Sequence, residues 1–498
     1  MNSVHFLKIF HYFVTLKIAM EKSKLTDVLK TLSKNEIKSF TDFVRSPFFN
    51  KENVLINLSD YLQKFYPAYN KPGIEKEKVF EFLYPGKKYN DGLMRNITSD
   101  LLGLAEKFLA VKRLDKNILV EKNLLLQELI ERQLNSLFEK NLKKAKNSLE
   151  NFQAKDENYY YNKYLLEDKK RRWMQLQSGS ILYSEDTIQE LADSFVIYFL
   201  VDHIKTLSIM VNQKKYIYDH NFRFDFMDEI DNYFLKNPEI LNKIPYLDLF
   251  HKSLKLFVTE HEEYFFALRT LIKEHFNILT EVDRKNIYVV LANYCSEKIN
   301  KGDLKYLNEK FELYMEIVDT GAHYEGKPVM SHIFYKGVIS NALELEKLEW
   351  TEKFINQYKS KLDDENRESC YNYCLAQLNY RGKNFDKALE LLSKVTMLDV
   401  TYKLEVNVLQ IMIYYDTDSE EPLYSLFDSF SHMLSKNKLI SARRKTLNLN
   451  FMNYTKELFR IKTAASDGYR ITELKKRIHE DNYLIAKTWL LRKVSELN

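Results

Sequence analysis

The stretch NYCLAQLNYRGKNFDKALELLSKVTMLDV, Asn372 to Val400, decides the fold. Gly382-Lys383-Asn384 is a breaker between two segments with helical spacing of apolar residues. Ala376 lies in the first segment and Ala388 in the second. Two helices approach closely only where facing side chains are short, so these alanines mark the contact of a helical hairpin. Tyr373, Gln377 and Tyr380 stand at i, i+4, i+7 on one stripe of the first helix, with Arg381 beside them.

Outward from this hairpin the rhythm continues. From about Asp283, the breakers Asn300 to Asp303, Gly321 to Pro328, Lys347 to Glu349, Asp363 to Asn366, Asp416 to Glu421 and Asp467-Gly468 separate further helical segments. The segments Leu345 to Tyr358 and Tyr380 to Leu392 place Trp350 and Phe385 at equivalent points, 35 residues apart. Such a period predicts an α-solenoid of stacked helical hairpins. Upstream, Asp115 to Phe222 holds one Gly and no Pro, which predicts long helices broken near Asp156 and at Ser178-Gly179-Ser180. Glu185 to Tyr218 is apolar on so broad a face that burial on more than one side is expected.

The front of the chain is better punctuated. Ser33 and Glu36 form a capping box opening a helix to about Arg45, and Asn50 is placed to cap a second, Lys51 to Phe65. A third runs from about Ile74 to Tyr84, and Asn90 or Asp91 opens a fourth reaching about Arg113. The division expected is therefore a disordered or loosely docked extension (1–22), an N-terminal four-helix domain (23–114), a long-helix region of divergent hairpins (115–282) and a hairpin-repeat region with C-terminal capping helices (283–498). Lys8, His11 and Lys17 interrupt the apolar opening and no cleavage site closes it, so it does not read as a signal peptide. Residues 1–19 are expected to be dispensable, with Met20 a plausible start.

Composition agrees with an all-α fold. The 498 residues include only 11 Gly and 8 Pro, too few for the tight turns of an all-β protein or for a glycine-rich phosphate loop. Aromatics make up 14%, read as helix-packing core. The net charge of +5 gives no global drive towards nucleic acid, although residues 1–150 carry 26 basic against 18 acidic side chains. Three cysteines, Cys295, Cys370 and Cys374, argue for free thiols in a reducing compartment, hence a cytoplasmic protein. No segment has the uninterrupted apolar run of a membrane span, so none is expected.

The hairpin Asn372 to Val400 resembles the tetratricopeptide repeat family, in which Trp-x2-Leu-Gly-x2-Tyr is followed by Ala-x3-Phe and a closing Pro. Leu375 and Ala376 stand for Leu-Gly, and Ala388 and Leu392 for Ala-x3-Phe. Asn372, Asn379 and Val400 depart from Trp, Tyr and Pro. The resemblance covers about Asp283 to Leu434 and extends to bacterial proteins of a degenerate helical-repeat type. It implies scaffolding, with Tyr373, Gln377, Tyr380 and Arg381 of the first helix lining a groove for a protein partner.

Motifs for chemistry are thin. Gly321 to Pro328, GAHYEGKP, matches a phosphate-binding loop until Pro328 replaces the metal-coordinating hydroxyl, and helical periodicity precedes it where a strand is needed. The histidines include no H-E-x-x-H, there is no G-x-S-x-G, and Cys370 and Cys374 at i, i+4 lack a second ligand pair. No cofactor, metal or catalytic residue is assigned, and an enzyme is not expected. Lys169 to Trp173, KKRRW, reads as a solvated helix face because neighbouring residues point to different sides.

Two binding functions follow: a scaffold or adaptor for a protein partner, and, as the alternative, a DNA-binding regulator with a repeat-type sensing body. For the second, Phe82-Leu83-Tyr84-Pro85-Gly86 and the helix around Met94 to Leu102 are similar to activators joining a winged-helix domain to tetratricopeptide-like repeats. Ser99 and Leu101 match their Leu-Ser-x-Leu-Arg; Thr98 and Leu102 do not, and Leu102 removes a phosphate-binding charge. That resemblance nominates Arg95, Asn96 and Ser99 for nucleic acid.

Overall fold

The computed structural model describes residues 23–70, 72–152, 154–178, 185–214, 221–324, 329–396, 400–463, 468–481 and 483–497. The expectations for the extension 1–22, for Gly179-Ser180, for the end of the GAHYEGKP loop and for Asp467 lie outside the described residues. The chain is 79% helical. Among the described residues it forms 24 α-helices and no strand, with an isolated bridge between Met330 and Leu362. The all-α expectation holds. Two compact units are formed, one from residues up to Asn151 with Asn162–Leu191, the other from Phe152–Tyr161 with Ala192–Asn498.

In the first unit, helices Lys24–Thr31, Lys34–Arg45, Asn53–Gln63, Lys76–Leu83 and Asp91–Asp115 enclose a core of Leu25, Phe40, Val44, Leu58, Phe80, Met94 and Leu101. The capping box is present: Ser33 Oγ accepts the Glu36 amide at 3.3 Å and Glu36 accepts the Ser33 amide at 3.0 Å. Asn90 caps the last of these helices through the Leu93 amide at 3.0 Å. Asn50 does not cap. Its side chain instead donates to the Val44 carbonyl at 2.9 Å and accepts the Glu52 amide, tying two helices together from within the connecting turn. The long-helix expectation needs a correction at residues 132–134, where Gln133 adopts a left-handed conformation (φ 56°) and splits the run into Ile118–Glu131 and Asn135–Glu150.

That turn recurs. At Gln133, Gly302, Glu346, Lys383 and Asp418 a left-handed residue follows a helix. The next amide reaches back five residues to a carbonyl: Leu134 to Leu129, Asp303 to Lys298, Lys347 to Ala342, Asn384 to Asn379, Ser419 to Tyr414, all between 2.8 and 3.0 Å. This is the Schellman closure, which satisfies end-of-helix carbonyls while reversing the chain. Its left-handed position is normally glycine. Gly321 makes the same closure, Ala322 to Ile317 at 3.1 Å, so four of these six left-handed residues are Gln, Glu, Lys and Asp, which is how the chain turns repeatedly on so few glycines.

In the second unit the turns join neighbouring antiparallel pairs: Glu281–Asn300 with Tyr306–Thr320, His332–Glu344 with Leu348–Tyr358, Arg367–Arg381 with Phe385–Ser393, and Val400–Asp416 with Glu420–Lys436. Helices Ala442–Thr463, Gly468–Glu480 and Lys487–Ser495 follow. Trp350 and Phe385 are the third and first residues of their helices, so they are not at equivalent points as the 35-residue spacing predicted; the left-handed turn residues Glu346 and Lys383 are 37 apart.

Helix Glu185–Asn212 is the one helix among the described residues long and apolar enough to cross a membrane by length and composition. Its Lys205 is fixed by protein groups. The ammonium donates to Glu157 at 2.7 Å and to Asp283 at 2.8 Å, and the Tyr246 hydroxyl donates to Asp283 at 2.7 Å. Thr280 Oγ1 donates to the same Asp283 carboxylate at 2.7 Å.

Candidate binding chamber

A recess of about 430 Å³ opens in the second unit. Three first helices of successive hairpins supply most of its wall: Ser340, Leu343 and Glu344 from His332–Glu344, then Tyr373, Gln377, Tyr380 and Arg381 from Arg367–Arg381, then Leu404, Val408 and Met412 from Val400–Asp416. Asn448 and the segment Ile485 to Trp489 close the far side. All four residues expected to line a groove therefore border one chamber.

Local chemistry sets the wall. Asp363 accepts the Asn366 amide at 2.9 Å, a turn that launches the helix carrying Tyr373 to Arg381. Neighbouring first helices are then joined side by side. Gln377 Nε2 donates to Ser340 Oγ at 3.2 Å, and the Arg381 guanidinium pairs with Glu344. Beyond these neighbours, Lys336 on the first of the three helices donates to Glu405 on the third at 2.6 Å, with its ammonium 4.6 Å from the centre of the Tyr402 ring.

Tyr380 borders the recess as a packed residue and not as an exposed one. It is buried, its hydroxyl donates to Asp416 at 2.6 Å, and it accepts the indole N–H of Trp489 at 2.7 Å. Lys493 neutralises Asp416 at 2.8 Å. Burial and the Asp416 carboxylate both raise the Tyr380 pKa, so it remains a donor at neutral pH. Tyr373 is also buried, edge-on to Tyr402 at 5.6 Å, and its pKa is likewise raised, by burial first and Glu405 next. Both tyrosines thus contribute ring faces and frame the wall. Gln377 and Arg381 are half-buried.

Sequence reasoning missed Leu404, Val408, Met412, Asn448 and Trp489. Trp489 lies 109 residues beyond its partner Tyr380, and no local pattern links them. The three cysteines are buried and unbridged, and among the described residues no group of His, Cys, Asp or Glu is arranged to hold a metal ion.

The nominated nucleic-acid residues, Arg95, Asn96 and Ser99, are all exposed on helix Asp91–Asp115. Arg95 pairs with Asp91 at 3.0 Å, and Asp100 is exposed beside Ser99, so the face is not a basic one. The KKRRW run is dispersed: Lys169 donates to Gln127, Arg171 and Arg172 both pair with Asp168, and Trp173 stacks on Phe138 at 5.1 Å. Gly321 takes a left-handed conformation (φ 67°) at the end of helix Tyr306–Thr320, a helix stop where a phosphate loop would need a preceding strand. Comparison with protein-family models, with curated proteins and with solved structures finds no match.

Proposed function

We propose that this protein is a non-enzymatic, cytoplasmic scaffold or adaptor, a tetratricopeptide-like α-solenoid behind a small N-terminal helical domain, and that it holds a segment of a protein partner in the chamber. One observation carries the reading. Ser340 with Gln377, Glu344 with Arg381 and Tyr380 with Asp416 join successive first helices at steps of 37, 37 and 36 residues. A near-constant step is what stacking of one structural unit produces, and stacking leaves the first helices lining a shared concave surface.

The chamber's volume lies within the roughly 300–1,000 Å³ range of ligand pockets, enough to seat an anchoring side chain. Glu344 and Glu405 are each already paired with a cation, which leaves neither poised as a general base and favours binding over catalysis. Affinity isolation of the full chain and of Met412→Trp from native cytoplasm tests the reading. A protein retained through a high-salt wash by the wild type and lost by Met412→Trp supports it. A nucleic acid that elutes steeply with salt overturns it, because phosphate neutralisation has that signature.

A further inference from the structure

The polar groups of the chamber are unequally satisfied. Its charges are spent: Arg381 on Glu344, Lys336 on Glu405, Lys493 on Asp416. The Tyr380 hydroxyl both donates and accepts. Arg444, exposed at the rim, is engaged as well.

Two side-chain amide oxygens stand apart. Gln377 gives its nitrogen to Ser340, while its Oε1 meets only the Ser340 hydroxyl at 3.5 Å, beyond an effective hydrogen bond. Asn448, 4% exposed, commits its nitrogen to the Arg444 carbonyl at 2.8 Å, and its enclosed Oδ1 has no donor. Asn448 Oδ1 is sealed from solvent, so the acceptor left for an occupant is Gln377 Oε1, on a half-buried side chain set among Leu343, Leu404, Val408 and Met412, with the rings of Tyr373 and Tyr380. An occupant that covers Gln377 Oε1 without pairing it forfeits about 1–3 kcal/mol, so the one that gains most supplies a donor. It has to be uncharged, because the wall offers no free counter-charge to offset desolvation.

Resting on the peptide-capture reading above, we infer that the chamber takes an uncharged aromatic side chain with a single N–H donor, the indole of a partner's tryptophan, whose N–H is received by Gln377 Oε1. Indole has a large apolar body, one donor and no acceptor. The same wall already accommodates one: Trp489 packs edge-on to Tyr415 at 5.3 Å and gives its N–H to Tyr380.

Titration calorimetry of the full-length protein with indole, 1-methylindole, tryptamine and indole-3-acetate tests this. Indole should bind about tenfold or more tightly than 1-methylindole, the worth of one buried hydrogen bond, and should exceed both charged analogues. Gln377→Leu should bring indole down to the level of 1-methylindole, and Met412→Trp, which fills the recess, should abolish binding of both. Equal binding of indole and 1-methylindole, preference for a charged analogue, absence of binding, or binding that survives Met412→Trp each overturns the inference. Circular dichroism of each variant establishes that it is folded. The two readings fail separately: indole binding with partner capture undiminished by Met412→Trp overturns peptide capture in the chamber, whereas capture lost in Met412→Trp without an indole preference overturns only the tryptophan.

Discussion

The Lys205 cluster and the chamber wall are both polar arrangements among packed helices of the second unit, and they differ in what is left over. Around Lys205 one ammonium meets two carboxylates, and the Tyr246 and Thr280 hydroxyls both donate to Asp283. At the chamber, pairing stops short, with Gln377 Oε1 lacking a good donor beside a recess. A network completed by the chain itself contributes order; one left incomplete next to a cavity has something to offer a second molecule.

The largest effect that would sharpen this contrast is expected at Lys205. Lys205→Met leaves Glu157 and Asp283 facing each other without a cation, and breaking such a pair costs about 3–5 kcal/mol, measurable as a lowered urea midpoint. Met412→Trp, which occupies space rather than removing a partner, should stay within about 1 kcal/mol of the wild type. A reversed order would mean that the chamber is the structural region. The two sites also differ in pH response. Burial alone would lower the Lys205 pKa, but Asp283 and Glu157 outweigh it and raise it above the ordinary 10.5. Its contribution is therefore fully present below about pH 10.5 and lost only as pH rises through the raised value. Lys205→Met should remove that part of the alkaline unfolding.

Next in size are two substitutions on one hairpin. Tyr380→Phe strands the Trp489 N–H and removes a donor from Asp416, at an expected cost of about 1–3 kcal/mol. Ala388→Leu, at a fully buried position between paired helices, should overpack the hairpin by about 1–3 kcal/mol. Both are read as melting shifts. Gln377→Leu, facing the recess, should change stability far less than either. If Gln377→Leu unfolds the protein while Tyr380→Phe is harmless, the division of the wall into frame and reader is inverted.

Much of the fold was legible in the sequence because its determinants are local. The Ser33–Glu36 box, the Asn90 cap and the breaker at Gly382 to Asn384 act within a few residues and read directly. The break at Gln133 was hidden because a glutamine carries a turn that glycine would have announced. At the site, a stripe at i, i+4, i+7 located Tyr373, Gln377 and Tyr380 on a common wall, but periodicity reports facing, not depth. Whether Tyr380 is an exposed anchor or a buried strut depends on Trp489, and pairing at that separation leaves no periodic trace. Asn448 was invisible for another reason: an unpaired oxygen is a property of the packed state alone.

The smallest effects are expected at the recurring turns, where satisfied hydrogen bonds coexist with a strained backbone. Lys383 sits at φ 61° and Glu346 at φ 58°, each in a Schellman closure whose hydrogen bonds are complete. A left-handed residue with a Cβ costs roughly 1–2 kcal/mol, and glycine escapes that cost while losing roughly 0.5–1 kcal/mol of its greater unfolded-state freedom. Lys383→Gly and Glu346→Gly should therefore each stabilise the protein by a few tenths to about 1 kcal/mol. Asp418→Gly, at φ 54°, should gain less, since aspartate tolerates this conformation better. Gly302→Ala provides the converse. At φ 93° an added Cβ would meet nothing closer than the His479 ring nitrogen at 3.9 Å, an ordinary contact, so any loss comes from the backbone alone. Chemical unfolding of the four variants should place Lys383→Gly and Glu346→Gly above the wild type, Asp418→Gly near it and Gly302→Ala below. If Lys383→Gly destabilises while Gly302→Ala is neutral, the lysine and glutamate are retained for contacts of their side chains, and the turns are not one repeated device.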